Sequence, residues 1–234
     1  MKKLTETKSR ELIYDAAAKL PRPTNDRELM GNVFQLLEFV FKHGKGRRGT
    51  NSKTYTGPAL EAFSTYCVKA AAAHVGLRGI SIDDDYIEDV DNRFDRLRLD
   101  LNVTWNDKLI LMQESRVWID KPFLTLKYQV IEDIVYLPHG RAGLDDNIIF
   151  PIVTICCDIT EITRATREHF FAMVLRSSEL PQKTDYGMNR INLFTLSAGK
   201  RGDGYFDAGV NETSVREYVN MLVNHFGHYK RRRP

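Results

Sequence analysis

The sequence predicts an α/β fold in which helices flank a mixed central β-sheet. Three observations support this. The N-terminal third has helical periodicity, residues 97–105 alternate apolar and polar side chains as a half-buried strand does, and the run 148–157 is continuously apolar. The predicted core order is helix, three strands, helix, strand, helix. Because the strand after the second core helix reads as buried, a sheet covered by helices fits best.

Two helices come first. The first is predicted over residues 5–20 and ends at Pro21, which cannot continue a helix. Asn25 followed by Glu28 is a capping-box pattern that begins the second, and its apolar residues recur at helical spacing until Gly44.

The next segment combines a loop, a helix and a short strand. Residues 44–56 contain several glycines and basic residues without periodicity, which predicts a surface loop. A helix is expected over 56–74, with Gly76 ending it, and a short strand within 77–86.

A hairpin and a helix follow. The alternating strand 97–105 leads to Asn106-Asp107, a predicted two-residue turn, and then to a strand over 108–118. That second strand begins with four apolar residues, which suits a central position. A helix should begin near Lys121, since Pro122 then falls in its first turn.

The C-terminal part alternates apolar runs with polar regions. The apolar strand 148–157 precedes a helix that Asp158 opens, and one more strand is predicted over 191–196. The last helix has an apolar face from Val215 onward and is predicted to end at Gly227.

Composition limits the class of protein. The chain has 234 residues, 42% of them hydrophobic and 28% charged, as in an ordinary soluble domain. No apolar run reaches membrane-spanning length, and the N-terminus lacks the apolar centre of a signal peptide. We therefore expect no membrane partner and a cytoplasmic location. The three cysteines are predicted to be buried, reduced thiols.

The distribution of charge says more than the net charge of +3. Basic residues cluster in 42–53, in 199–202 and in the C-terminal run 229–234, whereas acidic residues cluster in 83–91. Basic patches in glycine-rich loops suit contacts to phosphates, although solvated loops would have the same composition.

Acidic residues on the hairpin indicate a chemistry. Asp100 lies in the first strand, Glu114 near the end of the second, and Arg116 two residues further on. Two carboxylates on neighbouring strands can hold Mg²⁺, and a nearby cation can neutralise a phosphate. This combination suits metal-assisted cleavage of a phosphodiester bond.

The same residues resemble the PD-(D/E)xK nuclease superfamily and, within it, the type II restriction endonucleases. The matching positions are Asp100 and Glu114-Ser115-Arg116, while residues 57–61 resemble the first core helix and its glutamate, here Glu61. The resemblance covers roughly residues 57–175. It implies that Asp100 and Glu114 hold Mg²⁺, that Arg116 contacts the phosphate, and that Glu61 supports the water shell.

Two departures concern the basic residue and the first motif. Arg116 stands where the family usually has lysine, and an arginine cannot act as a general base. Lys121 or Lys127 are alternatives for the basic group. The dipeptide before Asp100 is Arg98-Leu99 rather than a proline-led turn.

A third departure concerns the register of the hairpin. A plain two-residue turn pairs Asp100 with Gln113 and leaves Glu114 on the other face of the sheet. A bulge or a longer turn would bring the two carboxylates together. Gln113 is therefore an alternative to Glu114, and Asp95 an alternative to Asp100.

The resemblance also implies an organisation and partners. The chain would be one nuclease domain with a helical arm (1–43), a catalytic core (57–175) and a recognition and dimer region (177–234), acting as a homodimer on double-stranded DNA. A non-catalytic DNA-binding protein, or a repair or RNA-processing nuclease, would share many of these features. The candidate DNA contacts are Lys45, Arg47, Arg48, Lys53, Asn189, Arg190, Lys200 and Arg201.

Overall fold

A computed structural model of the chain describes residues 6–44, 53–83, 100–117, 144–155, 191–198 and 209–232. The predicted helices that begin near Lys121 and at Asp158 lie outside these ranges. The described elements are α1 (Glu6–Ala18), α2 (Asp26–Gly44), α3 (Lys53–Val75), β1 (Ile80–Asp83), β2 (Leu101–Trp105), β3 (Lys108–Val117), β4 (Leu144–Ile155), β5 (Ile191–Thr195), β6 (Ser197–Ala198), β7 (Gly209–Val210) and α4 (Glu212–Arg231).

The main sheet is mixed, as the sequence predicts. Its five strands lie in the order β1-β2-β3-β4-β5. The pairs β1–β2 and β2–β3 are antiparallel, whereas β3–β4 and β4–β5 are parallel. The protein is therefore an α/β fold in which helices flank a mixed five-stranded sheet.

The described helices pack together against one face of this sheet. The longest, α3, contacts α1, α2, α4, β2 and β3, while α4 also contacts β5. The sheet contributes Leu101, Val103, Leu111, Val153 and Phe194 to the core that these helices share. The opposite face is also apolar and buried, as expected for central strands covered on both sides. It carries Met112, Phe150, Ile152 and Leu193.

The two predicted local signals, a cap and a turn, are confirmed. At the start of α2, the Glu28 N–H donates to Asn25 Oδ1 at 2.9 Å, and the hydrogen bond from the Thr24 N–H lowers the pKa of the Glu28 carboxyl. Asn106 and Asp107 form the two-residue turn between β2 and β3, with φ angles of 50° and 60°. Such left-handed angles are accessible to Asn and Asp at low cost.

The predicted end of the last helix is wrong. The helix α4 passes through Gly227 and continues to Arg231. Two residues further on, Tyr229 is fully buried, packs edge-on against Trp105 and donates its hydroxyl to Asp145 at 2.6 Å. Those tertiary contacts outweigh the roughly 1 kcal/mol that glycine costs a helix. Part of the basic C-terminal run is therefore helical.

None of the described helices is both long and apolar enough to cross a membrane.

Candidate functional site

A β-bulge in β3 decides how the two predicted carboxylates are arranged. Thr104 of β2 pairs with Leu109, whereas its neighbour Val103 pairs with Leu111. Ile110 is therefore the extra residue on the β3 side. The prediction of a two-residue turn is thus correct, but the strands do not keep the register that this turn starts.

The bulge shifts the pairing beyond it by one residue. Leu101 pairs with Gln113, and continuing this register by one residue places Asp100 opposite Glu114. Opposed residues of an antiparallel pair share a face, so Asp100 and Glu114 lie on the same face of the sheet. Without the bulge, Asp100 would oppose Gln113 and the two carboxylates would point apart.

A hydrogen bond supports this register independently. The Ser115 N–H donates to Asp100 Oδ2 at 2.7 Å, so the Asp100 carboxylate lies beside the peptide bond that follows Glu114. Asp100 is half-buried and Glu114 is 2% exposed. A carboxylate buried to this extent needs compensation by donors or by positive charge.

Further buried polar side chains occupy the same face. Asn102 lies two residues after Asp100 on β2, and Thr154 of β4 pairs with both Arg116 of β3 and Thr195 of β5. The side-chain polar atoms of Asn102, Thr154 and Thr195 are buried without a hydrogen-bond partner in the described parts of the chain. This face therefore carries buried polar side chains on both sides of the Glu114 row, although its surroundings are apolar.

The residues that alternate with Glu114 face the helices instead. Gln113 Oε1 accepts a hydrogen bond from the Tyr218 hydroxyl of α4 at 2.8 Å. The Ser115 hydroxyl lies 3.2 Å from the Ser64 hydroxyl of α3 and accepts a long contact of 3.4 Å from the Gln113 amide. Burial raises the pKa of Tyr218 well above its usual value. Of the two residues that the sequence left open, Glu114 is the one on the face of Asp100.

The bulge is held by a histidine of α4. His225 Nε2 on α4 lies 2.9 Å from the carbonyl oxygen of Ile110. Burial lowers the pKa of His225 to about 4, so the imidazole is neutral at pH 7 and its Nε2–H donates to that carbonyl. A donor from α4 thus satisfies the carbonyl of the extra residue.

Glu61 lies apart from the paired carboxylates. Its side chain forms an ion pair with Arg10 of α1. Three residues further along α3, Ser64 contacts Ser115 on the helical face of β3. Glu61 therefore belongs to a helix that packs on the opposite face of the sheet from Glu114.

The remaining predicted site residues are placed only in part. Arg116 lies on the β3 backbone two residues after Glu114, opposite Thr154, and Lys53 is the first residue of α3. The alternatives Asp95, Lys121 and Lys127 lie outside the described residues. So do the predicted DNA contacts Lys45, Arg47, Arg48, Asn189, Arg190, Lys200 and Arg201.

The donor set of Asp100 and Glu114 fits Mg²⁺. Both residues offer the hard oxygen ligands that this ion prefers, and Mg²⁺ keeps several waters, so one or two carboxylates suffice. No cluster of three or more His, Cys, Asp or Glu residues suited to a metal occurs within the described ranges. A metal bound here would therefore rely on water and on neutral oxygen ligands.

Comparisons with known proteins give no neighbour. Neither a scan against protein-family models nor searches of curated proteins and of solved structures found a match.

Proposed function

We propose that this protein is a Mg²⁺-dependent endonuclease of the restriction type that hydrolyses phosphodiester bonds in double-stranded DNA. The observation that carries the proposal is the bulged register of β2 and β3, which puts Asp100 and Glu114 side by side on one face of the sheet. In the unbulged register these residues would not form a joint site.

The order of the elements adds support. One helix, α3, is followed by three antiparallel strands and then by β4, which is parallel to β3. The PD-(D/E)xK resemblance implies this order of strands, with a helix between the third and the fourth, and the acidic residues on the second and third strands. Residues 118–143, where that helix is predicted, lie outside the described residues. Asp100, immediately before β2, and Glu114 on β3 are the residues that match those positions.

Each residue has a separate role in the proposed reaction. Asp100 and Glu114 hold the metal, and the Ser115 N–H fixes the orientation of the Asp100 carboxylate. Arg116 contacts the scissile phosphate as a permanent cation and does not exchange protons. When bound, the metal ion supplies an activated water and stabilises charge on the phosphate and on the leaving oxygen.

The proposed partner is duplex DNA, bound by a homodimer. Two-fold symmetry supplies one catalytic centre for each strand of a palindromic site. The basic segments 42–53 and 199–202 would bind backbone phosphates, and Arg or Asn side chains would read base edges. Lys45, Arg47, Arg48, Lys53, Asn189, Arg190, Lys200 and Arg201 remain predictions for these contacts.

The test is incubation of the full chain with phage DNA, with Mg²⁺ or with EDTA. We expect discrete fragments with Mg²⁺ alone. Asp100→Asn and Glu114→Gln should each lower the cleavage rate at least about 10²-fold, because both remove charge that stabilises the transition state. Asp107→Asn is the matched control: it makes the same change in the exposed hairpin turn and should cleave normally.

Three results would contradict the proposal. If both carboxylate variants nick plasmid at the wild-type rate, the site assignment fails. Smeared products, or a preference for RNA or structured ends, would favour a repair or RNA-processing nuclease. Salt-dependent DNA binding without any products would favour a non-catalytic DNA-binding protein.

A further inference from the structure

Asn102 is an unusual residue in the middle of β2. It pairs with Met112 of β3 on one side and with Asp83 of β1 on the other. The residue is 2% exposed, and neither its amide oxygen nor its amide nitrogen has a hydrogen-bond partner in the described parts of the chain.

Such an arrangement is costly for the protein alone. An amide that is buried without partners loses its hydration and gains nothing in return, whereas a leucine of similar volume would not. The amide of Gln113, by contrast, is bonded to Tyr218 and contacts Ser115 on the helical face. The same sheet thus satisfies one buried amide and leaves another without a partner among the described residues.

The position of Asn102 relates it to the paired carboxylates. It follows Asp100 by two residues and therefore lies on the same face of the sheet. Since its partner Met112 precedes Glu114 by two residues, Asn102 is the diagonal neighbour of Glu114. Diagonal neighbours lie about 7–8 Å apart, with their Cβ atoms somewhat closer, a span that an amide and a glutamate can bridge through one cation with metal–oxygen bonds of about 2.1 Å.

We infer that Asn102 is a third protein ligand of the metal centre, supplying its neutral amide oxygen to the cation that Asp100 and Glu114 hold. This inference rests on the proposed function. A neutral oxygen completes the donor set without adding a further negative charge beside Asp100 and Glu114. The buried amide oxygen also gains a partner when the cation binds.

The experiment is a titration of the full-length protein with Mn²⁺, followed by the electron paramagnetic resonance signal of the free ion. Asn102→Leu should weaken Mn²⁺ binding about tenfold, the size of effect expected when a metal site loses a supporting polar group. Without metal, its Tm should equal or exceed that of the wild type. Asn102→Asp should bind Mn²⁺ more tightly at pH 8, since it adds a charged ligand.

Asn32→Leu is the matched control, because Asn32 is also a buried asparagine but donates to the Pro21 carbonyl at 2.7 Å. We expect this variant to lose about 3 °C in Tm and to bind Mn²⁺ normally. If Asn102→Leu instead lowers the Tm and leaves Mn²⁺ affinity unchanged, Asn102 is a structural residue and the inference is overturned. The proposed function would survive that result as long as Asp100→Asn and Glu114→Gln still abolish binding. Absence of Mn²⁺ binding by the wild type would overturn both.

Discussion

The two faces of β3 differ in whether their buried polar residues are hydrogen-bonded. On the helical face, Gln113 and Ser115 are connected to Tyr218 of α4 and Ser64 of α3. On the other face, where Glu114 lies, the neighbouring Asn102, Thr154 and Thr195 have buried polar atoms without partners among the described residues. Successive residues of one strand therefore lie in environments of different character.

This difference separates polar groups that stabilise the fold from polar groups that are available for function. A fully hydrogen-bonded buried network makes the packing specific, because breaking it leaves an unsatisfied group. A protein retains unsatisfied polar groups in its interior mainly where function requires them. The Gln113 face is thus the supporting structure, and the Glu114 face is the candidate site.

The supporting face also determines the geometry of the other one. His225 holds the carbonyl of the bulge residue Ile110, and the Ser115 N–H holds the Asp100 carboxylate. Changes on the helical face should therefore alter stability first, whereas changes on the site face should alter metal binding and cleavage.

Insertion of one alanine between Met112 and Gln113 should have the largest effect. The added residue shifts the register after Met112 by one position and turns Glu114 and the later side chains of β3 to the wrong face. We expect a loss of at least about 4 kcal/mol in the free energy of unfolding, measured with urea, together with loss of cleavage. Ile110→Val keeps the number of residues and should cost only about 1 kcal/mol. Cleavage by a folded insertion variant would refute the pairing of Asp100 with Glu114.

Acidification should weaken the anchoring of the bulge. The folded pKa of His225, about 4, lies below the unfolded value near 6.5, so the unfolded state binds more protons between these values. The stability from His225 is complete above pH 6.5 and is lost as the pH falls toward 4, by about 2–3 kcal/mol. Urea unfolding at pH 7.5 and 4.5 measures this loss. His225→Gln should reduce the pH dependence by that amount, and an unchanged profile would contradict the assignment.

Tyr218→Phe should produce a smaller loss, confined to the helical face. Removing the hydroxyl leaves Gln113 Oε1 buried and unsatisfied, which costs about 1–2 kcal/mol. Mn²⁺ affinity should not change. Adding Gln113→Leu removes the second partner as well, so the double variant should lose less than the sum of the two single changes. Strict additivity would show that the two groups are not coupled.

Glu114→Gln should have the smallest effect on stability. Without metal we expect a loss of at most about 1 kcal/mol, because the amide keeps the shape of the side chain and still forms hydrogen bonds. Mg²⁺ should raise the Tm of the wild type by binding the folded state, but not that of the variant. A large destabilisation of the metal-free variant would show that Glu114, like Gln113, stabilises the fold.

Local signals explain most of what could be predicted. The cap formed by Asn25 and Glu28 and the Asn106-Asp107 turn depend on residues close in the chain, and both are confirmed. The strand pattern gave the mixed sheet, although β4 begins at Leu144, four residues before the predicted start. The alternation of polar residues in β2 could also have indicated Asn102, because it lies two residues after Asp100 and therefore on the same face of the strand.

The sequence by itself determined most of the described elements, their order and the presence of an acidic hairpin, because helix and strand periodicity, caps and tight turns are short-range properties. Tertiary structure decided which residue faces Asp100. The Ile110 bulge is bonded to His225, 115 residues away, and Gln113 to Tyr218, 105 residues away. Tyr229 likewise extends α4 beyond Gly227 through Asp145. Register and helix length depended on partners distant in the chain, whose contribution exceeds the local preference of about 1 kcal/mol.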